Sequence, residues 1–258
     1  MSKRGEPITK VTLANGKVRY RLVIDAGTHA DGRRRQVTTT HDTLREARQA
    51  LAKTRTSIED GTFTPKTKIT VRAFLDSWLA GREGIRDNTR AGYRADLKPV
   101  YDEFGDLPLQ ALTPARLIDF KSMLKVTGGR SGKGRAPRTI NLCFTVLSMA
   151  LDSAVKQRLL PFNPADSDHV ERMEQKRPRF GSWTPEQVTT FMAQVAEDRY
   201  AAAWRLTFCG LRRSEVLGLT WDAVDLDAGA VTICQGRTAR RGKQDDLPHT
   251  IVGGPKTD

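Results

Sequence analysis

Residues 208–226 read Phe208-Cys209-Gly210-Leu211-Arg212-Arg213-Ser214-Glu215-Val216-Leu217-Gly218-Leu219-Thr220-Trp221-Asp222-Ala223-Val224-Asp225-Leu226. A helix from Tyr200 to Cys209 is predicted to end at Gly210, a glycine at the helix C-terminus, and a second helix follows at once. Two helices therefore meet at a tight corner. Just upstream, Thr184-Pro185-Glu186-Gln187 combines an N-cap, a proline at the first helical position and a capping glutamine, so a helix to about Val195 is expected. Downstream, Ala230 to Gln235 reads as a strand, with residues near Leu247 to Val252 as its hairpin partner across a basic loop.

Further upstream the apolar period is helical. Val71, Phe74, Leu75, Trp78 and Leu79 follow the spacing of a buried stripe. A second helix, capped near Asn88 or Thr89, presents Tyr93, Leu97, Tyr101 and Phe104; Pro99 is expected to kink or shorten it, and Gly105 to end it. Thr113-Pro114 opens a third, with Leu117, Phe120 and Leu124 inward. A fourth runs from about Arg138 to Arg158 on Ile140, Phe144, Leu147, Leu151 and Ala154, and Leu160-Pro161-Phe162-Asn163-Pro164 stops it. These aromatic stripes read as core. The stretch Thr127 to Arg138 is glycine-rich but is not a phosphate loop: Thr127 stands where the first glycine belongs, and Gly134 stands where a hydroxyl residue would bind magnesium. Between Arg116 and Arg138 the basic residues Arg116, Lys121, Lys125, Arg130, Lys133, Arg135 and Arg138 face Asp119 alone, which suits a loop that tracks a phosphate backbone.

The first segment has period two. Val18, Tyr20, Leu22 and Ile24 alternate with Arg19, Arg21 and Val23, Asn15-Gly16 supplies a hairpin turn, and a third strand covers Gln36 to Thr40. Thr43-Leu44-Arg45-Glu46 is a capping box opening a helix with Leu44, Ala47, Leu51 and Ile58 on one face, up to Gly61. A three-stranded sheet backed by a helix can lay strands into a major groove, with Arg19, Arg21, Arg33, Arg34 and Arg35 available to phosphates and base edges.

Composition agrees. The chain has 258 residues, 43 Lys+Arg against 30 Asp+Glu, and a formal net charge of +13. Residues 1–66 carry 14 basic and 7 acidic side chains, residues 67–180 carry 20 and 13, and residues 181–258 carry 9 and 10, so the excess is confined to the first two segments. Such a field attracts polyanions, and nucleic acid is the leading partner. Mean hydropathy is −0.50 and no apolar run approaches the roughly 18 residues of a membrane span, so no membrane association is expected. Met1 to Lys10 shows no secretory h-region. Three widely spaced cysteines, Cys143, Cys209 and Cys234, argue against a disulfide framework and a CxxC metal site. A reducing, cytoplasmic, nucleoid-associated setting without a metal or other cofactor is the expectation.

The corner at 208–226 resembles the tyrosine recombinases, the integrase family of phages and mobile elements. It is similar to that family's T-G-L-R-x-S-E-x-x-x-L-x-W-x-D-[IV]-D box, with Cys209 in place of threonine and Ala223 in place of the first aspartate of the ending. The resemblance implies a multidomain α+β fold in three parts. These are an arm-type DNA-binding sheet plus helix at 1–64, an all-α core-binding domain at 68–165, and the N-terminal part of a mostly α catalytic domain with a β-hairpin at 180–258. It implies that Arg212 stabilises charge on a pentavalent phosphoryl transition state. It makes Glu215 the supporting acidic residue, and Lys256, in Pro255-Lys256-Thr257, the general acid to the departing 5′ oxygen. Double-stranded attachment-site DNA and other integrase protomers are the implied partners, and the chemistry needs neither ATP nor metal.

The family further implies an H-x-x-R box and a nucleophilic tyrosine. All four tyrosines (Tyr20, Tyr93, Tyr101, Tyr200) precede Arg212, and His249, the single later histidine, begins no such box. The expectation is a truncated integrase that binds DNA and does not cleave by itself. A non-catalytic DNA-binding regulator or architectural protein, and an RNA-binding protein with a basic surface, are the other classes the residues leave open.

Overall fold

A computed structural model describes residues 7–14, 16–28, 34–60, 63–129, 132–175, 181–240 and 250–254. The chain divides into two compact units: Met1–Gly84 with Tyr93–Glu174, and Ile85–Gly92 with Gln175–Asp258.

The first unit opens on an antiparallel sheet in the order β1 (Ile8–Thr12), β2 (Val18–Thr28), β3 (Arg34–His41), with Leu22 opposite Ile8 on one side and Thr39 on the other. The alternation along β2 does what its pattern requires, burying Leu22 and Ile24. Helix α1 (Leu44–Glu59) packs on the sheet, its start capped by the Thr43 hydroxyl accepting from Glu46 N at 3.2 Å. Ala47 is its one fully buried residue, and Leu44, expected inside, is 36% exposed. With only Leu22 and Ile24 buried on the strand side, the sheet offers apolar cover to a single small residue of the first helical turns.

Helices α2 (Val71–Ala80), α3 (Asp87–Phe104), α4 (Pro114–Val126) and α5 (Pro137–Lys156) follow. Every apolar residue assigned inward on α2, α4 and α5 is buried. Phe120 links the helices, lying edge-on to Phe104 at 5.0 Å and tilted to Phe144 at 6.1 Å. Pro99 does not shorten α3. The five residues beyond it include Val100, Tyr101 and Phe104, all buried, and burying three such side chains outweighs the roughly 3 kcal/mol that an interior proline costs. Gly105 follows the last residue of α3, and a Cβ there would sit 2.5 Å from the Tyr101 carbonyl, so the position admits no side chain without a shift. That carbonyl accepts from both Gly105 N and Arg72 Nη2, each at 3.1 Å.

The chain then folds back along the bundle. Asn163, buried, donates to Ser148 O (3.1 Å), Ser148 Oγ (2.9 Å) and Asp152 Oδ1 (2.7 Å), while its own oxygen accepts from Ala165 N at 2.9 Å. Asn141 holds Met173 in both directions, donating to its carbonyl at 2.8 Å and accepting from its N–H at 2.9 Å. Arg172 lies over the Phe144 ring and donates to the carbonyls of Ala165 and Val170. Ala165 and Val170 thereby join the core.

The second unit contains α6 (Pro185–Gln194), α7 (Ala201–Phe208) and α8 (Arg213–Gly218). Two short hairpins follow, β4 (Val224–Asp225) with β5 (Ala230–Val231), and β6 (Gly236–Ala239) with β7 (Thr250–Gly253). This pairing corrects the expected single strand from Ala230 to Gln235 partnered by residues near 247–252. Gly229, at φ +62°, turns Ala230–Val231 back onto Val224–Asp225, and β7 pairs instead with Gly236–Ala239.

Candidate functional site

The site is built at the junction of α7 and α8. Gly210 takes φ +94°, its N–H reaches Thr207 O at 3.0 Å, and Leu211 N reaches Leu206 O at 3.3 Å. This pair of reversed bonds is the Schellman ending that only a left-handed residue permits, and it turns the chain within two residues. Arg212 is extended and α8 starts behind it. Glu215, one turn on, bends back: Oε2 accepts from Arg212 N at 2.8 Å and Oε1 from Arg212 Nη1 at 2.7 Å. The carboxylate side chain is 11% exposed and the guanidinium side chain 58%. A sheltered anion thus fixes an exposed cation, whose remaining N–H donors are free in number to grip an incoming oxyanion. The hydrogen bonds from the Arg212 guanidinium and backbone N–H hold the Glu215 carboxyl below the usual glutamate range, so it is ionised at neutral pH.

Two glycines bring the β6–β7 hairpin against this helix. A Cβ on Gly218 would lie 2.8 Å from Gly236 Cα, and Gln235 Nε2 donates to Gly218 O at 2.8 Å. Beside this contact a cleft of about 350 Å³ is lined by Ser214, Glu215, Gly236 and Gly253, and by Arg86 and Asn88 from the start of α3. Among the described residues no group of three or more His, Cys, Asp or Glu side chains could hold a metal, and no helix is long and apolar enough to cross a membrane.

Of the residues singled out from sequence, Arg212 and Glu215 are brought together. Lys256, Arg33 and Arg130 lie outside the described residues, as do the side chains of Arg34 and Arg35, whose backbone forms the start of β3. Arg19 and Arg21 share one face of β2; Arg19 Nε lies 3.0 Å from Asp42 Oδ1, and Arg21 is exposed. Lys125 is exposed in the last turn of α4, and Lys133 is exposed and Arg135 half-buried on the loop joining α4 to α5, which folds onto α4 through Arg135 N to Leu124 O at 2.9 Å. Arg138 is exposed on the first turn of α5. Lys121 donates to Glu171 O at 2.7 Å and so ties down the returning chain. Sequence reasoning missed Asn163, Gln235, Arg86 and Asn88. The groups these side chains donate to lie between 11 and 168 residues away, and no local pattern announces such pairs.

No family model matches the chain. It is 29% identical over 131 residues to the ICEBs1 integrase of Bacillus subtilis (strain 168), covering 50% of this chain and 33% of that protein. It is 25% identical over 238 residues to the integrase of Mycobacterium phage L5, covering 88% and 60%. The chain therefore spans less than two thirds of the length of either relative. In fold it is similar to the Tn1549 transposon integrase, solved in complex with a circular intermediate DNA, at a TM-score of 0.57 and 20% identity over 73% of this chain and 58% of that one. With Arg212 and Glu215 joined at 2.7 Å in the corner that its sequence box marks, the chain is similar to these integrases.

Proposed function

We propose that the chain is the DNA-binding portion, with part of the catalytic domain, of a site-specific recombinase of a phage or integrative element. The observation that carries this is the exposed Arg212 guanidinium anchored by the sheltered Glu215 carboxylate. A guanidinium held in this way presents paired N–H donors to the non-bridging oxygens of a phosphodiester, and costs no reorganisation as charge builds on phosphorus. Lys256 is the general acid in this reading. The sheet with α1 reads arm-type sites, the helices α2–α5 bind the core site, and residues 180–258 supply the corner. Duplex DNA is the partner, together with other protomers of the same kind. Since all four tyrosines precede Arg212, these 258 residues bind without forming a phosphotyrosyl link by themselves.

The test is fluorescence anisotropy with duplex DNA across a salt series. Four or more phosphate contacts predict about a hundredfold loss of affinity between roughly 50 and 200 mM salt. Replacing Lys125, Lys133 and Arg135 together with alanine should lower the slope of log affinity against log salt by about 3. Nicked suicide duplexes should yield no covalent adduct. Tighter binding to structured RNA than to duplex DNA at one salt concentration, or an adduct, would overturn this reading.

A further inference from the structure

Helix α8 is too short to stand by itself. Its six residues make fewer than two turns, and the buried ones, Glu215 and Gly218, contribute no apolar side chain. Leu217 is 57% exposed. Side chains hold both of its ends instead. At the start Arg212 O accepts from Glu215 N at 2.8 Å and from Val216 N at 3.0 Å, while the Glu215 carboxylate accepts from the Arg212 N–H. At the finish Gln235 Nε2 donates to Gly218 O at 2.8 Å, satisfying one of the carbonyls that a helix end leaves open. The backbone contact beside that bond is one-sided. A Cβ on Gly218 would meet three backbone atoms, Gly236 Cα at 2.8 Å and Arg237 N and Gln235 O at 2.9 Å, none of which a change of rotamer can move away. A Cβ on Gly236 would find Ser214 nearest, at 3.5 Å, an ordinary van der Waals distance.

The hairpin that α8 leans on is itself held. The β6–β7 ladder has two strands of four residues, and a lone two-stranded ladder is marginal in water. Residues 86–88, which group with the second unit, grip it. Arg86 Nη2 donates to Gly254 O at 3.2 Å, Asn88 Nδ2 donates to Ala239 O at 2.8 Å, and Asp87 Oδ2 lies 3.8 Å from Arg240 Nη1. Gln235 stands immediately before β6, so a fixed hairpin means a fixed Gln235, and Gln235 in turn fixes the last turn of α8. Glu215 stands one turn before Gly218, about 4.5 Å along the helix axis. Its 2.7 Å bond to Arg212 Nη1 survives a shift of a few tenths of an ångström and is lost with a shift of about 1 Å.

We infer that Gln235 and Gly218 are positioning residues: they seat α8 on the β6–β7 hairpin so that Glu215 can hold the Arg212 guanidinium for a phosphodiester, an inference that rests on the recombinase reading above. The experiment uses the full 258-residue chain. In hydrogen exchange without DNA, Gln235→Met, which keeps the side-chain length and removes the donor, should speed exchange of the Glu215 and Val216 amides about tenfold. The Arg237–Ala239 amides of the hairpin and those of α5 should keep their rates. Gln235→Lys, which returns an N–H donor, should restore the protection. A ¹³C titration of the Glu215 carboxyl reads the corner itself. The bonds from Arg212 hold that carboxyl below the usual glutamate range, so its pKa should rise toward that range in Gln235→Met and fall again in Gln235→Lys. Gly218→Ala should act in the direction of Gln235→Met, and Gly236→Ala should leave both readouts where they are. An unchanged Glu215 titration in Gln235→Met, or equal responses to the two glycine substitutions, overturns the inference; should Gly218→Ala unfold the second unit, the Gln235→Met titration decides. Duplex DNA then tests the recombinase reading alone. The ¹⁵N signal of the Arg212 guanidinium, assigned through Arg212→Lys, should move when DNA is added to the wild-type chain; a signal that DNA does not move counts against that reading and leaves the seating of α8 as the other measurements find it.

Discussion

Helices α5 and α7 are both rich in apolar residues, and they meet opposite conditions. On α5 Ile140, Cys143, Phe144, Leu147, Leu151 and Ala154 are buried, whereas α7 has no buried residue. The contrast extends to the two units. Among the described residues, every buried apolar side chain lies at Val170 or before. In the second unit Trp183, Phe191, Trp204 and Phe208 meet one another at ring separations of 5.3–5.9 Å, yet Trp183 stays 55% exposed and Trp221 81%. Aromatic contacts of that kind contribute about 0.5–1.5 kcal/mol each beyond area, far less than a closed core provides. The helical part of the first unit is held by burial. The second unit holds its site by directed bonds: the reversed pair at Gly210, the Glu215 fork, the Gln235–Gly218 bond and the grip of residues 86–88.

The cysteines offer the largest measurable difference between these regimes. Cys143 is buried in the helical core, and burial pushes its thiol up to about 12, whereas Cys209 and Cys234 are exposed. With a chromogenic disulfide reagent under native conditions, two thiols should react at once and the third at least about 10³-fold more slowly, because its reaction waits for the bundle to open. Three equal rates would mean that the bundle is not a closed core.

Next in size is Phe144→Ala. This ring is 1% exposed, touches Phe120 and lies under Arg172, so its removal empties the centre of the bundle and should cost about 3–5 kcal/mol in urea unfolding followed by circular dichroism. Trp221→Ala, on a side chain as large but exposed, should change stability by less than about 0.5 kcal/mol. If the two costs came out alike, the division into a buried and a bond-held unit would have no energetic content.

That division also explains what could be read from the residues alone. Helices α2, α4 and α5 were legible because a buried stripe repeats at 3.6 residues over ten or more positions, and the caps Thr113 and Thr184 mark their own helices. The Arg212–Glu215 pair was legible through its box and its one-turn spacing. Strands of two to four residues carry too few periods to specify a partner, and the hairpin partners were accordingly misassigned around Gly229 and Gly236. Lys121 shows the limit of charge counting. Its surplus charge suggested DNA, while the returning chain places Glu171 O within 2.7 Å, a fact about tertiary folding that composition does not hold.

The smallest effect is the most discriminating. Thr70 and Thr184 cap α2 and α6 alike, Thr70 Oγ1 accepting from Ala73 N at 3.2 Å and Thr184 Oγ1 from Gln187 N at 3.4 Å, while Gln187 Oε1 accepts from Thr184 N at 2.9 Å. Replacing either threonine with alanine removes about 1 kcal/mol of local stability. In α2 that loss stands against five buried side chains, Val71, Phe74, Leu75, Trp78 and Leu79, at about 1.5–3 kcal/mol each, so the helix should persist with its Leu75–Leu79 amides exchanging as before. In α6 nothing is buried, and beyond the ring contacts of Phe191, at about 0.5–1.5 kcal/mol each, a ten-residue helix is marginal, so 1 kcal/mol is comparable with what holds it. Thr184→Ala should therefore raise amide exchange along the whole of α6 by about fivefold, the factor that 1 kcal/mol represents. Unchanged exchange in both α2 and α6 would show that packing, and not capping, governs both helices, and the contrast between the two units would then have to be drawn from the core alone.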